Sequence, residues 1–197
     1  MIQSESHILN QLILNDIKIT SQENIILKSL YIFYENINNV NILISIINSN
    51  LNLSIRLINY FVTKFTKYNK ISYKITDNNI ESSFNIYTSY KQQLKIYQKK
   101  YFDPFSRGDR IPYFLGNTCI ITTIGQLNFF KWFISKQILD SLKKYYSIIE
   151  IEMNKKNIDK HNNHKKTNVN QKKIIYKQFI STINLTKNND KIIVNFI

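Results

Sequence analysis

The chain has 197 residues, 43% hydrophobic and 13% aromatic, a composition that buries a core and excludes wholesale disorder. Its single cysteine excludes an intramolecular disulfide and a cysteine-held zinc cluster, and makes a reducing compartment the default. A formal charge of +14 makes an anionic partner the first to weigh; the excess sits in residues 51–110 (net +7) and 154–197 (net +8), while residues 1–50 are net −2 and 111–153 net +1.

Met1 to His7 has neither the basic flank nor the long apolar core of a secretory signal. Ile8, Leu9, Leu12 and Ile13 fall at helical spacing and predict a short amphipathic helix within 2–18. Thr20-Ser21-Gln22-Glu23 has the form of a capping box, opening a second helix whose buried stripe is Ile26, Leu27, Leu30, Phe33 and Ile37. Asn38-Asn39 ends it, and Val40 to Ile47 starts a third. That apolar run is broken by Asn41 and Ser45 and is too short to span a bilayer, so no membrane partner is expected.

After the loop Ser49-Asn50-Leu51-Asn52, Ser54 caps a helix carrying Ile55, Ile58, Phe61, Val62 and Phe65. Lys64, Lys67 and Lys70 then suit the negative end of its dipole. Ile71 to Ile75 alternates as a strand does, and Asp77-Asn78-Asn79 is a turn. Residues 85–99 read as helix or extended chain, with Tyr90 to Tyr97 favouring helix. The segment is strongly basic, with Tyr87, Tyr90, Tyr97 and Tyr101 interleaved among its lysines, and Pro104 closes it.

All three glycines, both prolines, the tryptophan, the cysteine and two of three arginines fall between Tyr101 and Phe133. The rest is dominated by Ile, Asn, Lys, Tyr and Ser with no alanine, as an AT-rich coding sequence produces, so the exceptions mark where geometry or chemistry demands them. Arg110 to Leu115 and Thr118 to Thr123 flank Gly116-Asn117 as a tight hairpin, in which Pro112 must face its missing N–H outward. Thr123 to Gln126 is a second capping box, opening one long helix over 126–151 marked by Leu127, Phe130, Ile134, Ile138, Leu142, Tyr145 and Ile149. Residues 154–173 read as a flexible basic linker. Residues 174–197 regain apolar periodicity and end in a β-rich run, a short αβ element that can dock on the sheet.

Together these elements predict an α+β fold. Residues 1–153 form one domain, with a helical cluster over 1–50, a small antiparallel sheet built on the central hairpin, and the long helix. The linker and C-terminal element follow.

No P-loop, dinucleotide-binding glycine fingerprint, nucleophile elbow or paired hydrolase carboxylates occur, so an enzyme ranks behind binding functions and no cofactor is implied. His161 and His164 have ligand-like spacing without a supporting cluster, and a solvated segment is the plainer reading, so no metal is expected. Cys119 reads as a small buried hydrophobe, with His7 too isolated to serve it. Asp103, Arg107, Asp109 and Arg110 can hold phosphate or brace a loop, and bracing is the commoner arrangement. Trp132, Phe129, Phe130 and Phe133 can stack on bases, although their helical spacing favours core. The candidate nucleic-acid-binding residues are Lys91, Lys95, Lys99, Lys100, Arg107 and Arg110, cations able to neutralise phosphates without reading sequence.

Several stretches together resemble an uncharacterised protein family of the nucleocytoplasmic large DNA viruses, the giant viruses. They are Leu53-Ser54-Ile55-Arg56-Leu57-Ile58-Asn59-Tyr60-Phe61-Val62-Thr63, Ser89-Tyr90-Lys91-Gln92-Gln93-Leu94, Phe102-Asp103-Pro104-Phe105, Thr122 to Trp132, and the closing hydrophobic run. Asn59-Tyr60 stands where members tend to have Asp-Trp, and Ser106-Arg107-Gly108 where they tend to have Cys-Arg-Arg, which speaks against a thiol or metal role there. The resemblance implies a viral protein of the host cytoplasm (the viral factory) or the virion, and supplies no activity. Nucleic-acid binding in replication, transcription or packaging is the first expectation. The alternative is a virion or assembly protein that acts through protein contacts, docking by its acidic N-terminal helices.

Overall fold

In a computed structural model, residues 5–15, 17–49, 51–77 and 80–165 are described. The helix α7 (Ile124–Ser135) is buried from Ile124 to Ile134 except at the half-buried Lys131. A helix apolar on every side belongs at the centre of a domain, and α7 packs against α2 (Ser21–Tyr34), α3 (Ile37–Ile47) and α6 (Ile86–Tyr101). Phe129, Phe130 and Phe133 are fully buried, and Trp132 lies among them with its indole N–H on Ser89 Oγ at 3.0 Å. These rings are core, and no face of them is offered to a base.

The same unit holds α1 (Glu5–Asn15), α4 (Ile55–Tyr60), a π-helical turn (Phe61–Phe65) and α5 (Thr66–Asn69). Two antiparallel ribbons complete this mixed α+β unit: β1 (Ser72–Asp77) with β2 (Ile80–Asn85), and β3 (Ile111–Leu115) with β4 (Thr118–Thr122). The chain divides into two compact units, residues 1–153 and 154–197. The helix α8 (Ile138–Lys165) passes the boundary between them. It therefore covers the first part of the stretch expected as a linker. The remainder, with the expected C-terminal αβ element, lies outside the described residues.

The Thr20–Glu23 capping box forms as expected, with both reciprocal hydrogen bonds present. At Thr123 only half of one forms: its hydroxyl accepts from Gln126 N, while the Gln126 amide turns away. That amide donates to Pro104 O at 2.9 Å and accepts from Thr122 Oγ1 at 2.8 Å. Asn128 adds a 2.9 Å bond to Tyr101 O, and Asp103 N donates to Gly125 O at 3.2 Å. The start of α7 thereby clamps the end of α6. A Cβ on Gly125 would lie 2.7 Å from Lys100 O, so only glycine admits this crossing.

The single long helix expected over 126–151 is two, because the chain turns through Gln137 in the left-handed region (φ 55°) between α7 and α8. Ile134, Ile138, Leu142 and Ile149 are all buried, so apolar spacing carries across the break and hides it. The Tyr73 hydroxyl, from β1, donates to Lys136 O at this corner. Ile37, expected at the end of the second helix, is 61% exposed at the start of α3, whose N-cap Asn36 accepts from Asn38 N. The strand β2 lies where no strand was foreseen.

Helix α1 does not bury the expected face. Ile8, Leu9 and Leu12 are exposed, and Asn10 and Leu14 point inward. Asn10 Oδ1 accepts from Phe114 N at 2.7 Å and its Nδ2 donates to Phe114 O at 2.9 Å. Its amide thus acts as one residue of a neighbouring strand. Gly116 takes φ +58° in the two-residue hairpin turn, which fixes the register Leu115↔Thr118, Phe114↔Cys119, Pro112↔Ile121. Alternation of bonded pairs then points the backbone groups of Phe114 and Pro112 outward, as expected for a proline in a strand.

Cys119 is exposed, which corrects its reading as a buried hydrophobe. It sits opposite Phe114, on the face away from the buried Ile111, Tyr113 and Leu115. Partial burial still pushes its thiol above the usual range, against a smaller opposing effect from the Tyr113 backbone. His7 packs edge-on against Tyr31, at 4.6 Å between ring centroids.

Candidate nucleic-acid interface

The basic helix α6 is opened by Asn85, whose side chain accepts from Thr88 N at 2.9 Å. Ile86 is fully buried, and Tyr90, Leu94 and Tyr97 pack against the core. That fixes the rotation of the helix, and Lys91 and Lys95 are left in water. Four residues apart, they stand on one side of the helix, roughly 6 Å apart along its axis.

One turn before Lys91, the ring of Tyr87 lies 5.8 Å from Lys67 Nζ. Lys67 is also 5.9 Å from the ring of Tyr68, which is 68% exposed. Lys64 is exposed three residues earlier, at the end of the π-helical turn. Thr63 and Thr66 hydroxyls stabilise that turn by donating to Asn59 O and Val62 O. The two helical segments therefore meet at Lys67 and Tyr87, and Lys91 and Lys95 follow Tyr87 on the next two turns of α6. Among the described residues, Lys64, Lys67, Lys91 and Lys95 form no ion pair. Ammonium groups with no carboxylate partner among the described residues, beside two tyrosines, can neutralise phosphates while offering rings to bases.

The other candidates stand differently. Gln98 adopts φ 56° and ψ 177°, which breaks the regular rotation of α6 before Lys99 and Lys100. Lys99 is exposed, but the stripe of Lys91 and Lys95 does not run on to it in regular register. Lys100 pairs with Glu23 Oε1 at 3.3 Å and lies 4.8 Å from the Tyr101 ring. Burial alone would raise the Glu23 carboxyl, yet bonds from the Thr20 backbone and hydroxyl, with Lys100 beside it, bring it below the ordinary value. Arg107 closes on Asp103 through two bonds, at 2.8 Å and 2.9 Å, with Phe105 N also donating to Asp103 Oδ1. This is the bracing arrangement. Arg110 is exposed just before β3.

The structure thus unites Lys91 and Lys95, adds Lys64, Lys67 and Tyr68, and ties Lys100 and Arg107 to carboxylates. Lys64 and Lys67 stand in the sequence reading only as a favourable helix end, and Tyr68 has no place in it. Their signal was the Lys67-Tyr68 pair, which repeats the basic and aromatic interleaving of α6 but is separated from it by the β1–β2 ribbon. Among the described residues, no group of three His, Cys, Asp or Glu side chains is placed to hold a metal, and no helix is long and apolar enough to cross a membrane.

Fold and site together define a mixed α+β protein, helical at its centre, with one lysine- and tyrosine-lined junction facing water. Residues 7–196 match the model of a family of unknown function, DUF7197, and the chain belongs to that family. It is similar to the uncharacterized protein L507 of Acanthamoeba polyphaga mimivirus, 35% identical over 167 residues. The match covers 81% of this chain and 64% of that relative, so the chain spans under two thirds of the relative's length. No solved structure matches. The resemblance to an uncharacterised giant-virus family is therefore borne out.

Proposed function

We propose that the chain is a non-enzymatic nucleic-acid-binding protein serving viral replication, transcription or packaging, in the host cytoplasm or the virion. The supporting observation is the exposed set Lys67, Lys91 and Lys95, with Lys67 against Tyr87 where α5 meets α6 and Lys91 and Lys95 on the following turns of α6, free of carboxylate partners among the described residues and accompanied by Tyr68 and Tyr87. Lys64 extends it, and Lys99 and Arg110 add exposed charge nearby in sequence. Phosphate contacts of this kind release counterions. Four lysines engaging a single strand or duplex predict a slope of about −3 to −4 in log affinity against log salt.

The test is fluorescence anisotropy with labelled generic single-stranded and duplex oligonucleotides across a salt series. Lys91→Glu with Lys95→Glu should weaken binding and flatten the slope, because attraction at two positions becomes repulsion. No binding near physiological salt, or binding that ignores this double substitution, overturns the proposal. A second reading, assembly through protein contacts, draws on the exposed Ile8, Leu9, Leu12, Ile25 and Ile32 of the N-terminal helices. Retained capture of a viral protein partner by a variant that has lost oligonucleotide binding would favour it.

A further inference from the structure

Ile25 and Ile32 are 69% and 74% exposed on α2, and no large apolar residue described is more exposed than Ile32. They are seven residues apart, two helical turns, and so lie on one side of the helix. Lys28 and Glu35, also seven apart and both exposed, fall on the same side. The sequence Ile25, Lys28, Ile32, Glu35 steps by three, four and three, which is the spacing of a helix-pairing seam. Neither charged residue forms an ion pair among the described residues.

Beside this ridge runs an open groove of about 660 Å³ between α1 and α2. Its floor is apolar, from Leu14, Ile19 and Leu27, with Lys28, Ile32 and Glu35 on the α2 wall. A self-complementary contact requires that one patch carry both a projection and a recess that accepts it. This patch does. Its charges are self-complementary too. In an antiparallel pair of α2 helices related by a two-fold axis near residue 30, position 28 faces 32 and position 25 faces 35. Lys28 of each copy then lies within one turn of Glu35 of the other, with its aliphatic stem over Ile32.

We propose that two copies of this chain pair antiparallel through α2, each isoleucine ridge covered by the other copy and the two Lys28–Glu35 contacts closing the ends. Exposed isoleucines this prominent are costly in water, and a partner of opposite charge order is what the helix itself supplies. The proposal stands whether or not the chain binds nucleic acid.

Sedimentation velocity and light scattering on the full chain test it, over about 1–100 µM, a span that brackets interfaces of micromolar affinity. The expected result is concentration-dependent conversion to twice the 23.5 kDa chain mass. Lys28→Glu alone and Glu35→Lys alone each set like charges together at both ends and should weaken pairing about tenfold or more. The double variant, Lys28→Glu with Glu35→Lys, restores opposite charges and should recover pairing. Both sites are exposed, and circular dichroism on each variant confirms that the fold is kept. A monomer at every concentration overturns the proposal, as does a dimer indifferent to the single reversals or a double variant that fails to recover.

Discussion

Replacing Gly125 by alanine tests how α6 and α7 meet. The added Cβ would lie 2.7 Å from Lys100 O and 3.4 Å from both Phe102 N and Tyr101 C. All three are backbone atoms, so no side chain can swing aside, and the loop held by Gln126, Asn128 and the Gly125 carbonyl must shift as a unit. Overpacking of this kind costs about 1–3 kcal/mol. Loss of glycine's freedom in the unfolded chain returns about 0.4–1 kcal/mol. The net loss of about 1–2 kcal/mol lowers Tm by roughly 2–8 °C for a chain of this size. Urea unfolding followed by circular dichroism should show a lower midpoint at unchanged slope. Gly108→Ala is the control, since the nearest atom to its Cβ is a side-chain methyl of Thr123 at 3.9 Å. If Gly125→Ala is as stable as Gly108→Ala or the parent, the close crossing does not exist.

Asn10→Leu removes both partners of the Phe114 backbone and leaves a donor and an acceptor under α1 unmet. A loss of about 1–3 kcal/mol is expected, read as a lower Tm with early exchange of the Phe114 amide. Glu23 has a folded-state pKa below its ordinary value, so its contribution is present above the unfolded pKa and is lost as pH falls through the folded one. Glu23→Gln should therefore lower Tm at pH 7, with the deficit shrinking towards zero as both proteins are taken below the ordinary glutamate range. A deficit independent of pH would refute that linkage. Cys119 is exposed but its thiol is raised by partial burial, so in the folded protein it should alkylate fully with iodoacetamide, more slowly than a free thiol at pH 8 and with a rate that climbs past pH 9. Protection from the reagent in the native state would contradict its placement.

Caps and tight turns were readable because each depends on a few adjacent residues. Thr20 with Glu23, Ser54, and Gly116-Asn117 all do in three dimensions what their local chemistry dictates. Core membership of α7 was readable for a similar reason, its rings recurring at helical spacing. What escaped depends on residues distant in sequence. Asn10 is buried because a strand edge 104 positions later needs its amide, and no pattern within α1 announces that. Gln126 abandons the second capping box for Pro104, 22 positions earlier. The turn at Gln137 lacks glycine or proline, and the isoleucines around it keep their period. For the site, sequence located the lysines of α6 but not their neighbours. The Lys67–Tyr87 approach joins segments separated by a hairpin, while Lys100 and Arg107 found carboxylates that sequence had left open.

The bond pair from Asn10 also limits growth of the β3–β4 ribbon at its β3 edge. Pro112 has no hydrogen to give and Phe114 has both its groups engaged, so the outer rim of β3 keeps no free amide to recruit an incoming chain. A single carboxamide on a helix acts as a gatekeeper against runaway strand addition in a protein rich in isoleucine and asparagine. Shortening the chain from its N-terminus past α1 would unseal that rim, so the first symptom of such a truncation should be fibrils or precipitate rather than a soluble, loosened fold.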